Sequence, residues 1–255
     1  MNIKDYLEKV KSREISVVKT VEKILQEAKN SPNHFTSISK SYAIEQAERM
    51  EKNPLGRLAG LPISVKDGIC VKNIESAAGS EILKDYRPPF SATVIEKLEK
   101  DGAIIIGKTS QDEFGFGGFS MNTKKIPKNP HDLTRSCGGS SGGGAGFTAF
   151  TTQPHIALGE STGGSIANPA SFCGVVGLTP TYGLVSRYGL IDYANSLDKI
   201  GTLAKTVSDS FLGLYQITGH DEKDSTSLPG KILPEKKVKK IAVIKESLEV
   251  DKELK

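Results

Sequence analysis

Two kinds of apolar pattern alternate along this chain. Apolar residues at helical spacing follow Ser16, a good N-cap residue, and stop at the turn-forming residues 30–33. Predominantly apolar runs, which are typical of buried strands, occupy 61–65 and 103–106. Helices that alternate with short, predominantly apolar strands favour an α/β protein. We therefore expect a central, mostly parallel mixed sheet covered by helices on both faces.

Further helices are predicted from capping residues and apolar spacing. They cover 42–52, 91–102, 141–151, 164–172 and 206–219. The N-terminal segment 1–52 is expected to be helical, within a single domain over 1–255. After a polar loop at 221–239, the pattern predicts a new strand over 240–244. A strand that begins so late suggests a truncated fold, of which this chain is the N-terminal half.

Composition narrows the class of protein only slightly. The 255 residues can bury a sizeable core, and 37% hydrophobic and 25% charged residues are ordinary for a globular protein. The net charge of +4 is too small to argue for nucleic-acid binding. Three cysteines without CxxC spacing favour a reduced, cytoplasmic protein without structural zinc. We expect neither a signal peptide nor a membrane span.

Two serine clusters flanked by glycine are the most informative chemical feature. They lie at 138–143 (GGSSGG) and 162–165 (TGGS), and apolar runs at 147–150 and 155–158 separate them. A flexible linker does not alternate with core segments in this way. Glycine beside serine lets the backbone approach a ligand closely, and clustered N–H groups can stabilise an oxyanion. The pattern predicts acyl transfer by a serine nucleophile.

Two short motifs match this sequence but lack the surroundings that their chemistry requires. Residues 102–109 fit the P-loop pattern, yet the variable positions are Ala and three Ile, which predict a strand. Residues 138–142 fit the G-x-S-x-G elbow of α/β-hydrolases, but turn-forming residues precede them, and only His155 and His220 follow. Lys66, at the end of an apolar strand, is an alternative base for a serine enzyme.

Three segments resemble the amidase signature family. They are 60–67 (GLPISVKD), 138–143 (GGSSGG) and 162–166 (TGGSI). The resemblance extends over most of the chain, and it implies the amidase fold and a Ser–Ser–Lys triad.

The resemblance implies a role for each member of that triad. Ser165 corresponds to the nucleophile, and Lys66 corresponds to the final base. Ser140 corresponds to the bridging serine, held by a cis peptide bond after Gly139. Because Lys66 must be neutral to accept a proton, we expect its surroundings to disfavour the ammonium form.

The resemblance also implies an oxyanion hole and two supporting residues. Backbone N–H groups from Thr162, Gly163 and Gly164 onward would bind the oxyanion. Gly139 and Ser141 would support the bridging serine, and no metal ligand is implied.

Within the family, the chain looks most similar to the A subunits of tRNA-dependent amidotransferases. The segments that carry this similarity are 90–94, 107–114, 128–130, 182–190 and 196–201. Such a subunit hydrolyses glutamine and passes ammonia to a partner that amidates Glu-tRNA(Gln) or Asp-tRNA(Asn). The resemblance therefore implies B-type and C-type subunits as partners, with aminoacyl-tRNA reached through them. ATP and magnesium would be used by the partner, and this chain would hold no cofactor.

Three features depart from the family pattern. The family usually has Asp where Ser161 stands and Arg where Ala167 stands. The spacing from Ser140 to Ser165 is one residue longer, with the extra residue within 153–156. The chain also stops about halfway through the expected fold, and the side chains that hold the charged groups of glutamine are expected in the missing half. Two alternatives stay open: a stand-alone amidase acting on another small amide, and an inactive half-protein that binds a partner, such as a second polypeptide.

Overall fold

A six-stranded sheet forms the centre of the protein in the computed structural model, which describes residues 1–230 together with Lys240 and Ala242. The described strands are β1 (Phe35–Ile38), β2 (Pro62–Lys66), β3 (Ile104–Thr109), β4 (Lys128–Asn129), β5 (Asp132–Ser136), β6 (Ile156–Ser161), β7 (Val176–Leu178) and β8 (Lys199–Ala204). The described helices are α1 (Ile3–Lys11), α2 (Val17–Asn30), α3 (Lys40–Lys52), α4 (Thr93–Lys100), α5 (Gly142–Phe150), α6 (Ala167–Cys173) and α7 (Val207–Ile217). A short 3₁₀ turn covers Glu113–Gly115.

The sheet is mixed, with its parallel pairs at the centre. Its strand order is β1-β3-β2-β6-β8-β7, and β2 pairs in parallel with both β3 and β6. The three remaining pairings, β1 with β3, β6 with β8 and β7 with β8, are antiparallel. Strands β4 and β5 form a separate two-stranded sheet. The predicted α/β fold with a mixed central sheet is confirmed, but the sheet is not mostly parallel, since only two of its five strand pairings are parallel.

Helices cover both faces of this sheet, as two adjacent residues of β6 show. Gly213 of α7 lies against the side chain of Ile156, and Gly144 of α5 lies against that of Ala157. Because consecutive residues of a strand point to opposite faces, α7 and α5 lie on opposite sides of the sheet. A Cβ at either glycine would come within 3.1–3.3 Å of the strand's side chain, so these glycines let the helices approach closely.

Several helix starts follow the predicted capping. Ser16 Oγ accepts a hydrogen bond from the N–H of Lys19, and Thr206 Oγ1 accepts one from the N–H of Asp209. The prediction that Ser91 begins a helix was wrong: Ala92 is the N-cap of α4, and Ser91 Oγ accepts a hydrogen bond from the N–H of Lys72 instead. A contact distant in sequence thus takes the hydroxyl that local sequence assigned to the cap.

Two other boundaries differ from the predicted ones for physical reasons. Helix α6 begins at Ala167 rather than at 164, because residues 162–166 form the turn that carries the second serine cluster. The N-terminal segment 1–52 holds three helices but also β1, a four-residue edge strand too short to show alternation. The strand predicted over 240–244 lies outside the described residues, apart from Lys240 and Ala242.

The segment that matches the P-loop pattern is a strand, as its isoleucines predicted. Its last six residues, Ile104–Thr109, form β3 and are all buried. The amine of Lys108 donates to the carbonyl oxygen of Asp67 and to Ser76 Oγ, so its hydrogen bonds are made to acceptors inside the protein. Within the described part of the chain, no helix combines the length and the apolar character that crossing a bilayer requires.

Two buried histidines should make stability depend on pH. Burial lowers the pKa of His34 to about 4 and that of His155 to about 3, whereas both would titrate near 6.5 in the unfolded chain. Both histidines are therefore neutral in the folded state, and the stability that they contribute as neutral groups is fully present above about pH 6.5. As the pH falls from there toward 4, the free energy of unfolding should decrease by about 1.4 kcal/mol per pH unit for each histidine.

Urea unfolding between pH 7 and pH 4.5 measures this loss. The His155→Gln variant should show a shallower dependence of the unfolding free energy on pH than the parent chain. Equal slopes for the two proteins would show that His155 does not become protonated on unfolding.

Candidate active site

The two serine clusters lie on neighbouring loops at one end of the sheet. Ser140 lies between β5 and α5, and Ser165 lies between β6 and α6. Ser141 joins the two loops, because its N–H donates to the carbonyl oxygen of Ser165 (3.1 Å). Its hydroxyl donates to the carbonyl oxygen of Glu160 (3.0 Å), at the end of β6. The position of Ser141 therefore suits the supporting role that the resemblance implies.

Lys66 brings a buried amine to the same place from the end of β2. Its side chain is only 1% exposed, and Nζ lies 2.7 Å from Ser140 Oγ. The parallel pairing of β2 with β6 sets this position, since it places the ends of both strands at one edge of the sheet. The structure thus brings Lys66 and Ser140 into direct contact.

Ser165 is placed beside this pair by its backbone. Its side chain is half-buried, and its hydroxyl makes no hydrogen bond to the part of the chain that the structure describes. The contact that the two loops share is the one from the N–H of Ser141 to the Ser165 carbonyl oxygen. The second link of a triad, from Ser140 to Ser165, therefore stays a prediction.

Gly139 occupies a position where no side chain fits. A Cβ there would lie 2.3 Å from Asp112 Oδ2 and 2.6 Å from the backbone nitrogen of Ser120. The carboxylate of Asp112 is itself buried, and it accepts hydrogen bonds from the N–H groups of Ser120 (2.9 Å) and Asn122 (3.1 Å). The peptide bond between Gly139 and Ser140 is cis, as the resemblance implies.

The proposed oxyanion donors lie on the most open part of the site. Gly163 and Gly164 are exposed, and a Cβ at Gly163 would meet no atom within 4 Å. Among the described residues, nothing accepts a hydrogen bond from the N–H of Gly163, while the carbonyl oxygen of Gly164 accepts one from the N–H of Asn168 (2.8 Å). Thr162 is half-buried and directs its hydroxyl into the protein. The oxyanion role of these three residues stays a prediction.

Glu160 is a member of the site that the sequence reasoning missed. Its Oε2 lies 2.7 Å from Lys66 Nζ, and its carbonyl oxygen accepts a second hydrogen bond from the same amine (3.1 Å). An adjacent carboxylate favours the ammonium form of a lysine, whereas burial of the side chain disfavours it, so the expectation about the surroundings of Lys66 stays a prediction. A charged residue within the otherwise uncharged β6 was the available sign, because a buried carboxylate needs a partner.

Asp198 holds the turn of the second serine cluster from behind. Its Oδ1 accepts a hydrogen bond from Thr162 Oγ1 (2.5 Å), and the same hydroxyl lies 3.1 Å from Glu160 Oε1. The other oxygen of Asp198 accepts hydrogen bonds from the N–H groups of Tyr193 and Ala194, both at 2.8 Å. This carboxylate, which is fully buried, had no role in the sequence-based prediction.

The departures from the family pattern have clear places in the structure. Ser161 is buried at the end of β6, whereas Ala167 is exposed at the start of α6. The segment predicted to hold the extra residue, 153–156, forms the end of the loop before β6 and the first residue of that strand. In the same loop, Glu27 accepts hydrogen bonds from the N–H (3.1 Å) and hydroxyl (2.5 Å) of Thr152. That loop lies at the start of β6, whereas the serine clusters lie at its end.

Neither histidine that follows the first serine cluster is bonded to a site serine. His155 Nε2 lies 2.9 Å from Ser64 Oγ inside the protein, and His220 contacts Ser227 after α7. Among the described residues, these histidines are therefore bonded to serines outside the two serine clusters. In the same residues, no group of three or more His, Cys, Asp or Glu side chains is arranged to hold a metal ion.

Comparisons with known proteins find similarity along most of the chain. The Amidase family model matches residues 16–255. The glutamyl-tRNA(Gln) amidotransferase A subunit 2 of Clostridium acetobutylicum is 51% identical over 207 residues, which cover 78% of this chain and 43% of that protein. The glutamyl-tRNA(Gln) amidotransferase A subunit of Cyanothece sp. is 45% identical over 236 residues, which cover 88% of this chain and 49% of that protein.

Solved structures show the same fold. A protein from a vestigial complex, described as revealing the evolutionary origins of an s-triazine catabolic enzyme, has a TM-score of 0.87 at 32% identity, covering 92% of this chain and 53% of its own. The native peptide amidase from Stenotrophomonas maltophilia has a TM-score of 0.84 at 30% identity. The match covers 91% of this chain and 51% of the peptide amidase. The chain spans about half the length of the relatives that it matches.

Replacing Asp198 should test how far its carboxylate stabilises the turn. Asp198→Ala leaves the N–H groups of Tyr193 and Ala194 without an acceptor, and we expect a loss of about 1–3 kcal/mol in the free energy of unfolding. Asp198→Asn keeps one oxygen for these N–H groups and should cost less. Urea unfolding, with amide exchange at residues 193 and 194, measures both effects. Equal losses for the two variants would contradict this role of the acceptor.

Proposed function

The chain belongs to the amidase family, and we propose that it carries the serine and lysine machinery of a glutamine-hydrolysing amidotransferase A subunit. The observation that supports this most directly is the buried amine of Lys66, 2.7 Å from Ser140 Oγ and beside the loop of Ser165. The names of the relatives, which are A subunits of glutamyl-tRNA(Gln) amidotransferases, supply the substrate class.

In the proposed reaction, Ser165 Oγ attacks the side-chain amide carbon of glutamine. Its proton passes to Ser140 Oγ as the Ser140 proton passes to Lys66 Nζ, so the lysine acts on a nucleophile that it does not touch. The N–H groups from Thr162 to Gly164 stabilise the negative oxygen of the tetrahedral intermediate. Collapse of the intermediate returns a proton to the leaving ammonia and leaves a glutamyl ester on Ser165. Water, activated through the same relay, then hydrolyses the ester.

The proposed assembly follows from the same relatives. B-type and C-type subunits would receive the ammonia and use ATP and magnesium to amidate Glu-tRNA(Gln) or Asp-tRNA(Asn), and the tRNA would contact these partners. This chain would need no cofactor of its own and would work in the cytoplasm, where charged tRNA is present. The groups that hold the charged ends of glutamine would come from the complementary half of the fold or from a second polypeptide.

A second candidate function, a stand-alone amidase for another small amide, is favoured by one feature of the site. Position 167 carries an exposed Ala, and position 161 a buried Ser, where the resemblance implies an Arg and an Asp near the nucleophile. The similar fold of a peptide amidase shows that this architecture suits such a protein. Relative rates on glutamine and on uncharged primary amides separate the two functions.

Replacing Ser165 tests the assignment of the nucleophile. In the assembly of this chain with its complementary half and the B-type and C-type subunits, Ser165→Ala should reduce ammonia release by about 10³-fold or more. Ser171→Ala, at an exposed position on α6, is the matched control and should leave the rate unchanged. If Ser165→Ala kept more than about a tenth of the activity, Ser165 would not be the nucleophile.

Ammonia release by the 255-residue chain alone tests the need for a second half. We expect little turnover of glutamine, because substrate positioning contributes several kcal/mol to catalysis and the relatives are about twice as long. Adding the complementary half should restore turnover, and it should cover the exposed side chains of Phe116, Phe119 and Met121. Robust turnover by the chain alone would favour the stand-alone amidase. Absence of turnover after complementation would favour an inactive partner-binding protein.

A further inference from the structure

The amine of Lys66 has three acceptors, which is the number that an ammonium group needs. They are Ser140 Oγ at 2.7 Å, Glu160 Oε2 at 2.7 Å and the carbonyl oxygen of Glu160 at 3.1 Å. Lys66 and Glu160 are both buried, with side chains that are 1% and 6% exposed. An unpaired charge at this depth is costly, so each group of the pair stabilises the charge of the other.

The second oxygen of Glu160 is less well supported, and this makes its carboxylate depend on Lys66. Glu160 Oε1 faces Thr162 Oγ1 at 3.1 Å, but that hydroxyl has one hydrogen and lies closer to Asp198 Oδ1, at 2.5 Å. Two carboxylates therefore share one donor. The amine of Lys66 therefore stabilises the negative charge of Glu160 more than the shared hydroxyl of Thr162 does.

We propose that Glu160 is a positioning residue that keeps Lys66 protonated and thereby sets the pH above which the serines become nucleophilic. This inference rests on the proposed function, in which Lys66 is the base. While Nζ carries three hydrogens, it donates to Ser140 Oγ and has no lone pair to accept the Ser140 proton. When hydroxide removes one proton, giving water and a neutral amine, the hydrogen bond with Ser140 reverses. The two remaining N–H groups still satisfy both oxygens of Glu160, so the same geometry serves both states.

Other charged groups lie on the segments next to Lys66 and Glu160, and each of them has hydrogen-bond partners of its own. They are Asp198, Lys199, Asp112, Asp67 and Lys108. Lys199 donates to the carbonyl oxygen of Thr162, and Lys108 donates to that of Asp67. All of these groups are retained when Glu160 alone is changed, so a comparison of variants isolates the effect of its charge.

The variant Glu160→Gln removes the charge and keeps the shape. Its amide oxygen can face Lys66 Nζ, and its NH₂ group can donate to Thr162 Oγ1 while that hydroxyl donates to Asp198. Glu160→Ser is the second variant, in case glutamine is not accommodated in the folded chain. The matched control is Glu27→Gln on α2, which removes the charge from a carboxylate that accepts hydrogen bonds from the loop at the other end of β6.

The experiment measures labelling of the serines by a fluorophosphonate from pH 6 to pH 11. Intact mass gives the rate, and Ser165→Ala defines the background. We expect the labelling of Glu160→Gln to begin about one pH unit or more below that of the parent chain, with about tenfold faster labelling at pH 7. Glu27→Gln should follow the parent chain. The inference would be overturned if the labelling rate of Glu160→Gln depended on pH as that of the parent chain does. A lower rate at every pH, without a shift along the pH axis, would overturn it too.

A second measurement keeps this inference separate from the proposed function. NMR titration of the Lys66 side chain, assigned with Lys66→Arg, follows loss of its proton without requiring catalysis. A shift of this titration to lower pH in Glu160→Gln or Glu160→Ser supports the role of Glu160, even if no protein is labelled. A shifted titration without any labelling would contradict the proposed function but not the role of Glu160. An unchanged titration in the folded variants rejects the inference whatever the labelling shows.

Discussion

The arrangement of the site depends on a buried lysine at the end of a central strand. Burying Lys66 is costly unless all its hydrogens are satisfied, and the acceptors come from two other segments, Ser140 and Glu160. Strand β6 supplies one of them because it pairs in parallel with β2, so that both strands end at the same edge. The loop of Ser140 then lies over this edge, held by the contacts of Ser141 with Glu160 and Ser165. A shift of register in β2 would disrupt all of these contacts together.

The glycines of the first cluster have a structural purpose that the chemical interpretation did not include. A Cβ at Gly142 would lie 2.2 Å from Ser120 Oγ, and one at Gly143 would lie 2.5 Å from the backbone of His34 and Ser110. These glycines therefore let α5 and the Ser140 loop pack closely against the side chain of Ser120 and the backbone of His34 and Ser110. Gly163 is different, because the space around it is open. Close approach to a ligand is thus a suitable explanation for the second cluster, whereas the first is glycine-rich mainly because of packing.

Local sequence predicted the elements whose determinants are local. The apolar runs gave β2 and β3, and the hydroxyls of Ser16 and Thr206 cap helices as expected. Ser140, Ser165 and Lys66 were proposed as site residues through motif resemblance, because local sequence does not show which residues lie close together in the fold. Glu160 and Asp198 were missed because their importance comes from contacts with Lys66 and Thr162, far away in sequence. The same limit explains Ser91, whose hydroxyl is taken by a loop nineteen residues earlier.

Two neighbouring strands show how surroundings decide what a buried lysine does. Lys66 on β2 and Lys108 on β3 are both almost fully buried, and burial lowers the pKa of Lys108 to about 8 although Asp67 acts in the opposite direction. The acceptors of Lys108 are Ser76 Oγ and the backbone of Asp67, which have no part in the serine loops, so its amine stabilises the strand ends. The acceptors of Lys66 include a serine beside the most open turn of the site. Residue type and depth are therefore nearly equal for the two lysines, and the loops that each strand end meets distinguish a structural amine from a candidate base.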